Sequence, residues 1–241
     1  YGDHRDLHSI PTRRSSDLYT KASGIYIMDL TNGVLKATAD GSWYTSFSSL
    51  TGLSIEDIDA GDIAEFAVLT TVDNIYVLDR ESKALLKSTN YGSGYGLSST
   101  YLESESFESG NDVFSDISVY ILTQGQDGIK RYNSDLRVGG LVEAPLTIKG
   151  LEDNLKNPKY GYTADDLNKD LYIFDSEDKR ILRFEKPMES GEIRHPNELL
   201  LVKQYVLPSD TNWDSVKDFV VDFKQEYLYI LNGTMIWKVR L

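Results

Sequence analysis

Five copies of one short phrase constrain this chain more than anything else in it. They are Ile25-Tyr26-Ile27-Met28-Asp29, Ile75-Tyr76-Val77-Leu78-Asp79, Val119-Tyr120-Ile121-Leu122-Thr123, Leu171-Tyr172-Ile173-Phe174-Asp175 and Leu228-Tyr229-Ile230-Leu231-Asn232. Their tyrosines stand 50, 44, 52 and 57 residues apart. That interval fits one blade of a β-propeller with loops of varying length. Each phrase is apolar at four consecutive positions, so side chains on both faces of the strand avoid water. A strand needs this when its sheet lies between two others, whereas an ordinary surface sheet alternates apolar with polar.

The rest of a blade can be read around each phrase. Ten residues before three of the tyrosines sits another aromatic, Phe66, Tyr162 and Phe219, which marks an innermost strand. After the phrase comes a turn and then a half-polar third strand, as in Ala84-Leu85-Leu86-Lys87 and Arg180-Ile181-Leu182-Arg183-Phe184. Asn32-Gly33, Asp127-Gly128 and Asn232-Gly233 supply turn chemistry, because they tolerate the positive φ of a tight reversal. A fourth, outer strand is visible after the fourth phrase at Leu200–Val206. The expected fold is all-β: a propeller with about five four-stranded blades, centred on Tyr26, Tyr76, Tyr120, Tyr172 and Tyr229. The competing architectures are a two-sheet β-sandwich and two stacked small domains. Neither requires one phrase to recur at blade spacing.

The first eighteen residues stand apart from this pattern. His8-Ser9-Ile10-Pro11-Thr12-Arg13-Arg14-Ser15-Ser16-Asp17-Leu18 resembles the conceptual translation of a sequencing adapter, and residues 1–18 are read as a non-native tail. Residues 19–241 are then expected to be the C-terminal part of a longer propeller of about six to eight blades. Tyr19 to Gly24 is too short for a full innermost strand of the first repeat, and the fifth repeat ends after its third strand.

In the fourth repeat, Tyr172-Ile173-Phe174-Asp175 followed by Arg180-Ile181-Leu182-Arg183-Phe184 resembles the core of NHL-type blades. The likeness covers one repeat well and the others only at the tyrosine phrase; Thr123 and Asn232 replace the aspartate. A weaker overall likeness is to propeller domains of uncultured bacteria that follow a membrane anchor, sometimes joined to a protein-phosphatase domain. The resemblance implies an interaction or sensing module outside the cytoplasm, tethered to a membrane through a segment upstream. It transfers no catalytic residue.

Charge and composition narrow the function. The formal net charge is -13, and the first eighteen residues, with three arginines and three aspartates, contribute nothing to it. So acidic a chain repels phosphate backbones and anionic membranes, leaving a protein or small-molecule ligand, basic or cationic, as the expected partner. There is no cysteine, and His195 is the only histidine beyond residue 18. Thiol and imidazole catalysis and zinc sites therefore have too few parts.

The candidate binding residues lie in two acidic segments. Residues 54–65 carry five carboxylates and residues 99–112 carry four, with no basic residue in either. Both fall where an outer strand leads to the next inner strand, so a propeller brings them side by side on one face. Asp57, Asp59, Asp62, Glu65, Glu103, Glu105, Glu108 and Asp112 are the candidate ligand-binding acids, with Trp213 the aromatic expected to be exposed among them. Asp57, Asp59, Asp62 and Glu65 resemble a calcium loop with two positions exchanged, since Gly61 sits where a ligand belongs and Asp62 where the bend belongs. A solvated acidic rim without a cofactor is the alternative. Asp29, Asp79 and Asp175 are read as turn-fixing, the phrase tyrosines as packing between blades, and His195 as lying on the opposite face. Asn232-Gly233-Thr234 is taken as a chance glycosylation sequon.

Two function classes follow. One is a non-catalytic binding or sensing module. The other is a metal-dependent lactonase or hydrolase, with carboxylates at the propeller axis holding a divalent ion and acting as acid and base. Glu65, Asp165, Asp166 and Asp218 are the acids placed near that axis, with none assigned in the third repeat.

Overall fold

A computed structural model describes residues 18–21, 24–29, 33–37, 48–49, 54–58, 60–68, 74–116, 118–125, 128–135, 137–163, 170–186, 197–206, 212–222 and 224–241, those before residue 50 by their backbone. The strands form five successive sheets. The first holds β1 (Leu18–Lys21), β2 (Gly24–Asp29), β3 (Gly33–Ala37) and β4 (Ser48–Ser49). A short helix, α1 (Ile55–Ile58), leads to the second, with β5 (Ile63–Val68), β6 (Ile75–Asp79), β7 (Ala84–Ser88) and β8 (Ser99–Glu103). The third comprises β9 (Gly110–Ser115), β10 (Val119–Thr123), β11 (Ile129–Asp135) and β12 (Gly140–Ala144). Between β12 and the fourth sheet runs β13 (Thr147–Lys149). That fourth sheet contains β14 (Pro158–Thr163), β15 (Leu171–Asp175), β16 (Arg180–Glu185) and β17 (Glu198–Val206). The fifth consists of β18 (Val216–Val221), β19 (Tyr227–Asn232) and β20 (Met235–Arg240).

Within each blade the strands pair antiparallel in chain order, and β5, β9, β14 and β18, the first strands of their blades, contact one another in sequence. This is a β-propeller: four complete blades and a fifth of three strands, with first strands at the hub. Two features depart from the sequence reading. A four-residue inner strand forms in the first blade, pairing Leu18 with Ile27 and Lys21 with Gly24, where the segment was judged too short. β13 adds a parallel fifth strand outside β17, pairing Thr147 with Glu198 and Lys149 with Leu200.

The tyrosine phrases form the second strands, and β6, β10 and β15 are buried at every residue. Their side chains leave the sheet in two directions. Tyr76 and Leu78 join Val119 and Ile121 of the third blade in one apolar cluster. Tyr120 and Leu122 likewise meet Leu171 and Ile173 of the fourth, and Tyr172 and Phe174 meet Leu228 and Ile230 of the fifth. Alternate residues of one strand thus glue two junctions, which is why the phrase has no polar position before its end.

A backbone hydrogen bond recurs in blades two to five. The residue following each phrase, Arg80, Gln124, Ser176 or Gly233, donates its N–H to the carbonyl of Asp62, Ser109, Asn157 or Ser215, at the entry to the inner strand. The bond ties the turn after the second strand to the start of the first, so both lie at one end of the blade. Where the phrase ends in aspartate, the side chain adds to it. Asp79 accepts from the N–H groups of Gly61 (3.2 Å), Asp62 (2.8 Å) and Glu81 (3.1 Å) and from the Ser82 hydroxyl (2.6 Å). Asp175 does the same for Asn157 (3.0 Å) and also meets Arg180 (3.2 Å). Thr123 and Asn232 can replace aspartate because the backbone bond remains.

Burial alone would raise the Asp79 carboxyl, but the Ser82 hydroxyl and the three N–H groups outweigh it and hold its pKa below the usual carboxylate range. A folded pKa below the unfolded one means stability present at neutral pH and lost as pH falls through the folded value. Asp79→Ala is accordingly expected to cost roughly 2–3 kcal/mol at pH 7, because it removes four hydrogen bonds to a buried carboxylate, and less at pH 3. Urea unfolding of both proteins at the two pH values checks this.

Candidate functional site

The face that carries the inner-strand entries and the post-phrase turns collects most of the candidate acids, but it does not pool them. Asp57 accepts from the backbone N–H (3.0 Å) and hydroxyl (2.6 Å) of Ser54, whose Oγ accepts the Asp57 N–H (3.2 Å). This reciprocal pair is a capping box that starts α1. Asp62 is exposed and takes a two-pronged bond from Arg80, Nε to Oδ2 at 2.8 Å and Nη2 to Oδ1 at 2.9 Å. Glu65 is buried on β5, where its Oε1 accepts the Phe66 N–H at 2.9 Å. Asp59 lies outside the described residues. Among those described, no three His, Asp or Glu side chains are grouped so as to hold a metal ion.

The second acidic segment is divided. Glu103 ends β8, and Glu105 and Glu108 lie in a 3-10 turn (Glu105–Ser109) that buries Phe107 and turns the acids outward. All three glutamates are exposed. Lys83 reaches across from the neighbouring turn to both Glu105 (2.5 Å) and Glu108 (3.1 Å). The hydrogen bonds Lys83 donates to Glu105 and then Glu108 raise its pKa, so the ammonium stays charged at neutral pH. Its backbone sits at φ 54, a left-handed value at the close of the turn. These acids share their face with Arg80 and Lys83, cations that the two segments themselves do not contain.

Asp112, the last acid of that segment, belongs elsewhere. It is buried on β9, opposite Leu122, in the position that Glu65 holds opposite Leu78 and Asp218 opposite Leu231. Tyr160 holds it in the fourth blade, opposite Phe174. In all four inner strands a break in register immediately precedes this residue, and such a bulge re-aims the side chain that follows. Three acids therefore occupy equivalent hub-strand positions, including one in the third repeat, where the sequence reading assigned none. The missed signal was the run Asp112-Val113-Phe114, an acid before an apolar pair as in Glu65-Phe66-Ala67 and Asp218-Phe219-Val220. It stands three residues nearer its tyrosine because the turn between β9 and β10 is shorter. Asp218 Oδ1 accepts the Phe219 N–H at 2.6 Å, and Asp112 bonds the Val113 N–H and, across the blade junction, the Gly161 N–H at 2.5 Å. Asp165 and Asp166 lie outside the described residues.

Trp213 corrects an expectation. It opens a 3-10 turn (Trp213–Ser215) before β18 and is 4% exposed, stacked on Phe174 with ring centroids 5.5 Å apart. It fills the junction of the fourth and fifth blades rather than offering a surface to a ligand. Asn232 is also buried, which removes the sequon as a glycosylation acceptor. His195 lies outside the described residues.

No protein-family model matches the chain, and no curated protein does. Solved structures do. An auxiliary nutrient binding protein from Bacteroides ovatus matches with a TM-score of 0.59 at 15% identity over 93% of this chain and 59% of its own. The likeness is one of fold. A structure of a nidogen/laminin complex matches at 0.57 and 13% identity, over 87% of this chain and 71% of the other. A candidate 6-phosphogluconolactonase from Bacteroides uniformis matches at 0.54 and 14% identity, over 92% and 65%. This chain thus spans under two thirds of the first and third of these proteins, and the different descriptions of the three carry no shared chemistry onto its residues.

Proposed function

We propose that the chain is a non-catalytic binding module that takes a basic protein segment or cationic ligand on the face built by the inner-strand entries and post-phrase turns. The observation that carries this reading is the outward cluster of Glu103 at the end of β8 and Glu105 and Glu108 on the 3-10 turn, answered by Lys83. Its support is threefold. Glu103, Glu105 and Glu108 are exposed, whereas Asp57 and Asp62 are engaged by Ser54 and Arg80. The net charge of -13 favours a positive partner. Similar folds occur in a protein described as nutrient binding and in a nidogen/laminin complex, both of which bind other molecules. The same reading puts the module outside the cytoplasm, held to a membrane by a separate segment. None of the described helices is long and apolar enough to cross one.

The test uses a fluorescein-labelled lysine- and arginine-rich peptide and anisotropy at low salt. A variant carrying Glu103→Gln, Glu105→Gln and Glu108→Gln is expected to bind roughly tenfold more weakly with a shallower salt dependence. Lys83→Ala, which frees two of those acids, is expected to bind more tightly. Equal affinity in all three proteins would remove the acidic rim from the account.

A further inference from the structure

Two charged side chains with no part in the binding face meet inside the junction of the third and fourth blades. Asp116 follows β9 and Lys186 follows β16, 70 residues apart in the chain and both at the end of the blades away from the inner-strand entries. Lys186 Nζ donates to Asp116 Oδ2 at 2.5 Å and to Thr163 Oγ1, at the close of β14, at 2.7 Å. All three residues are buried, none more than 8% exposed. The other carboxylate oxygen, Oδ1, accepts the Ser118 N–H at 2.7 Å. Two further buried groups feel the charge of Asp116. Burial and then that charge push the pKa of the Tyr120 hydroxyl up, so it keeps its proton. Burial lowers the Arg131 guanidinium, while Tyr120 and Asp116 act in the opposite direction and its Nη2 donates to Asn197 at 2.9 Å.

We propose that Lys186 and Asp116 condense into an amide, a covalent cross-link between neighbouring blades. The ion pair already holds every atom the reaction needs. Transfer of one ammonium proton to Oδ2 gives an amine and a carboxylic acid. The Nζ lone pair then attacks Cγ, and the C–N bond forms as the C=O π electrons move onto Oδ1, where the Ser118 N–H meets the developing charge. A second Nζ proton passes to Oδ2, directly or through the Thr163 hydroxyl, and the C–Oδ2 bond breaks to release water. One C–N bond replaces one C–O bond, and nothing is oxidised or reduced. Bulk water ordinarily defeats this condensation by solvating both ions and hydrolysing the product. Here burial keeps it from the pair, and the fold supplies the proximity that two free groups lack. Lys83 and Glu105 stand equally close at 2.5 Å, but Glu105 is exposed, so that pair stays an ion pair.

Mass spectrometry of the full chain, folded and then denatured for the measurement, tests the link. The intact mass is expected to fall short of the sequence mass by one water molecule, and proteolysis to release a branched peptide joining the segments around Asp116 and Lys186. Chain recovered in denaturant before it has folded is expected at full mass, losing the water as it refolds. Lys186→Arg and Asp116→Ala are each expected at their full sequence mass. A folded wild-type chain at full sequence mass overturns the proposal, and that result stands whether or not either variant folds. A water loss that survives Lys186→Arg, as a cyclic imide at an aspartate would, overturns it as well.

Discussion

Replacing Gly161 by alanine is expected to destabilise the chain by about 2–3 kcal/mol, the range of an overpacked core site. Gly161 lies on the hub strand of the fourth blade, and a Cβ built there would stand 2.0 Å from Cε1 of Phe114 in the third. Phe114 itself is buried and stacked on Tyr120, centroids 5.3 Å apart, so the ring has little room to retreat. The same backbone position donates its N–H to Asp112, and displacing it would lengthen that bond as well. One added methyl thus disturbs an aromatic stack and an inter-blade hydrogen bond together. The cause is separable from general fragility by a second substitution. Phe114→Leu alone should destabilise by about 1 kcal/mol or more through lost packing, and the double variant should recover part of the alanine's cost. Strict additivity in urea unfolding would show that Gly161 and Phe114 do not meet.

At Asp112 the expected result is a gain. Asp112→Asn should gain stability relative to the wild type as pH rises from 4 to 8, and the gain should vanish as pH falls back to 4. Burial is the main cause, raising the carboxyl from its ordinary value near 4 to about 7 against the opposing bonds from Gly161 and Val113. A folded pKa above the unfolded one contributes stability that is complete below pH 4 and disappears as pH rises through about 7. Charging Asp112 therefore costs the native state, and an amide that keeps one acceptor oxygen toward Gly161 avoids the cost. Unfolding free energies at pH 4, 6 and 8 decide the matter. A difference between the two proteins that stays constant from pH 4 to pH 8 would mean the carboxylate is solvated or balanced by a positive charge.

These two residues also show what a sequence can and cannot disclose in a fold of this kind. The phrase tyrosines were legible because two-sided burial leaves a mark within five consecutive residues. Asp79 and Asp175 were legible as turn-fixing for the same reason: their partners lie in the turn and in the loop beside it. Trp213 was not. Its polar sequence neighbours suggest a surface, while the surface it meets is Phe174 of another blade, fixed by packing some forty residues away in sequence. Asp112 was misplaced because a shorter turn shifted it by three residues against its counterparts Glu65 and Asp218. The cations of the rim were hidden in a similar way. Arg80 and Lys83 sit in a turn outside both acidic segments, and the folded blade brings that turn alongside them through bonds such as the one from the Arg80 N–H to the carbonyl of Asp62. Counting charges along the chain therefore overstated how bare the acidic face is.

The account rests on each blade sending alternate side chains of one strand into two neighbours. The most direct measurement is a set of nuclear Overhauser effects in protein with labelled isoleucine and leucine methyls and labelled tyrosine rings. The predicted result is contact from the Tyr120 ring to methyls of the fourth blade, such as Ile173 and Leu182, and from the Tyr172 ring to Leu228 and Ile230 of the fifth. Tyrosine rings that reach only methyls of their own sheet, or that connect phrases out of chain order, would contradict it.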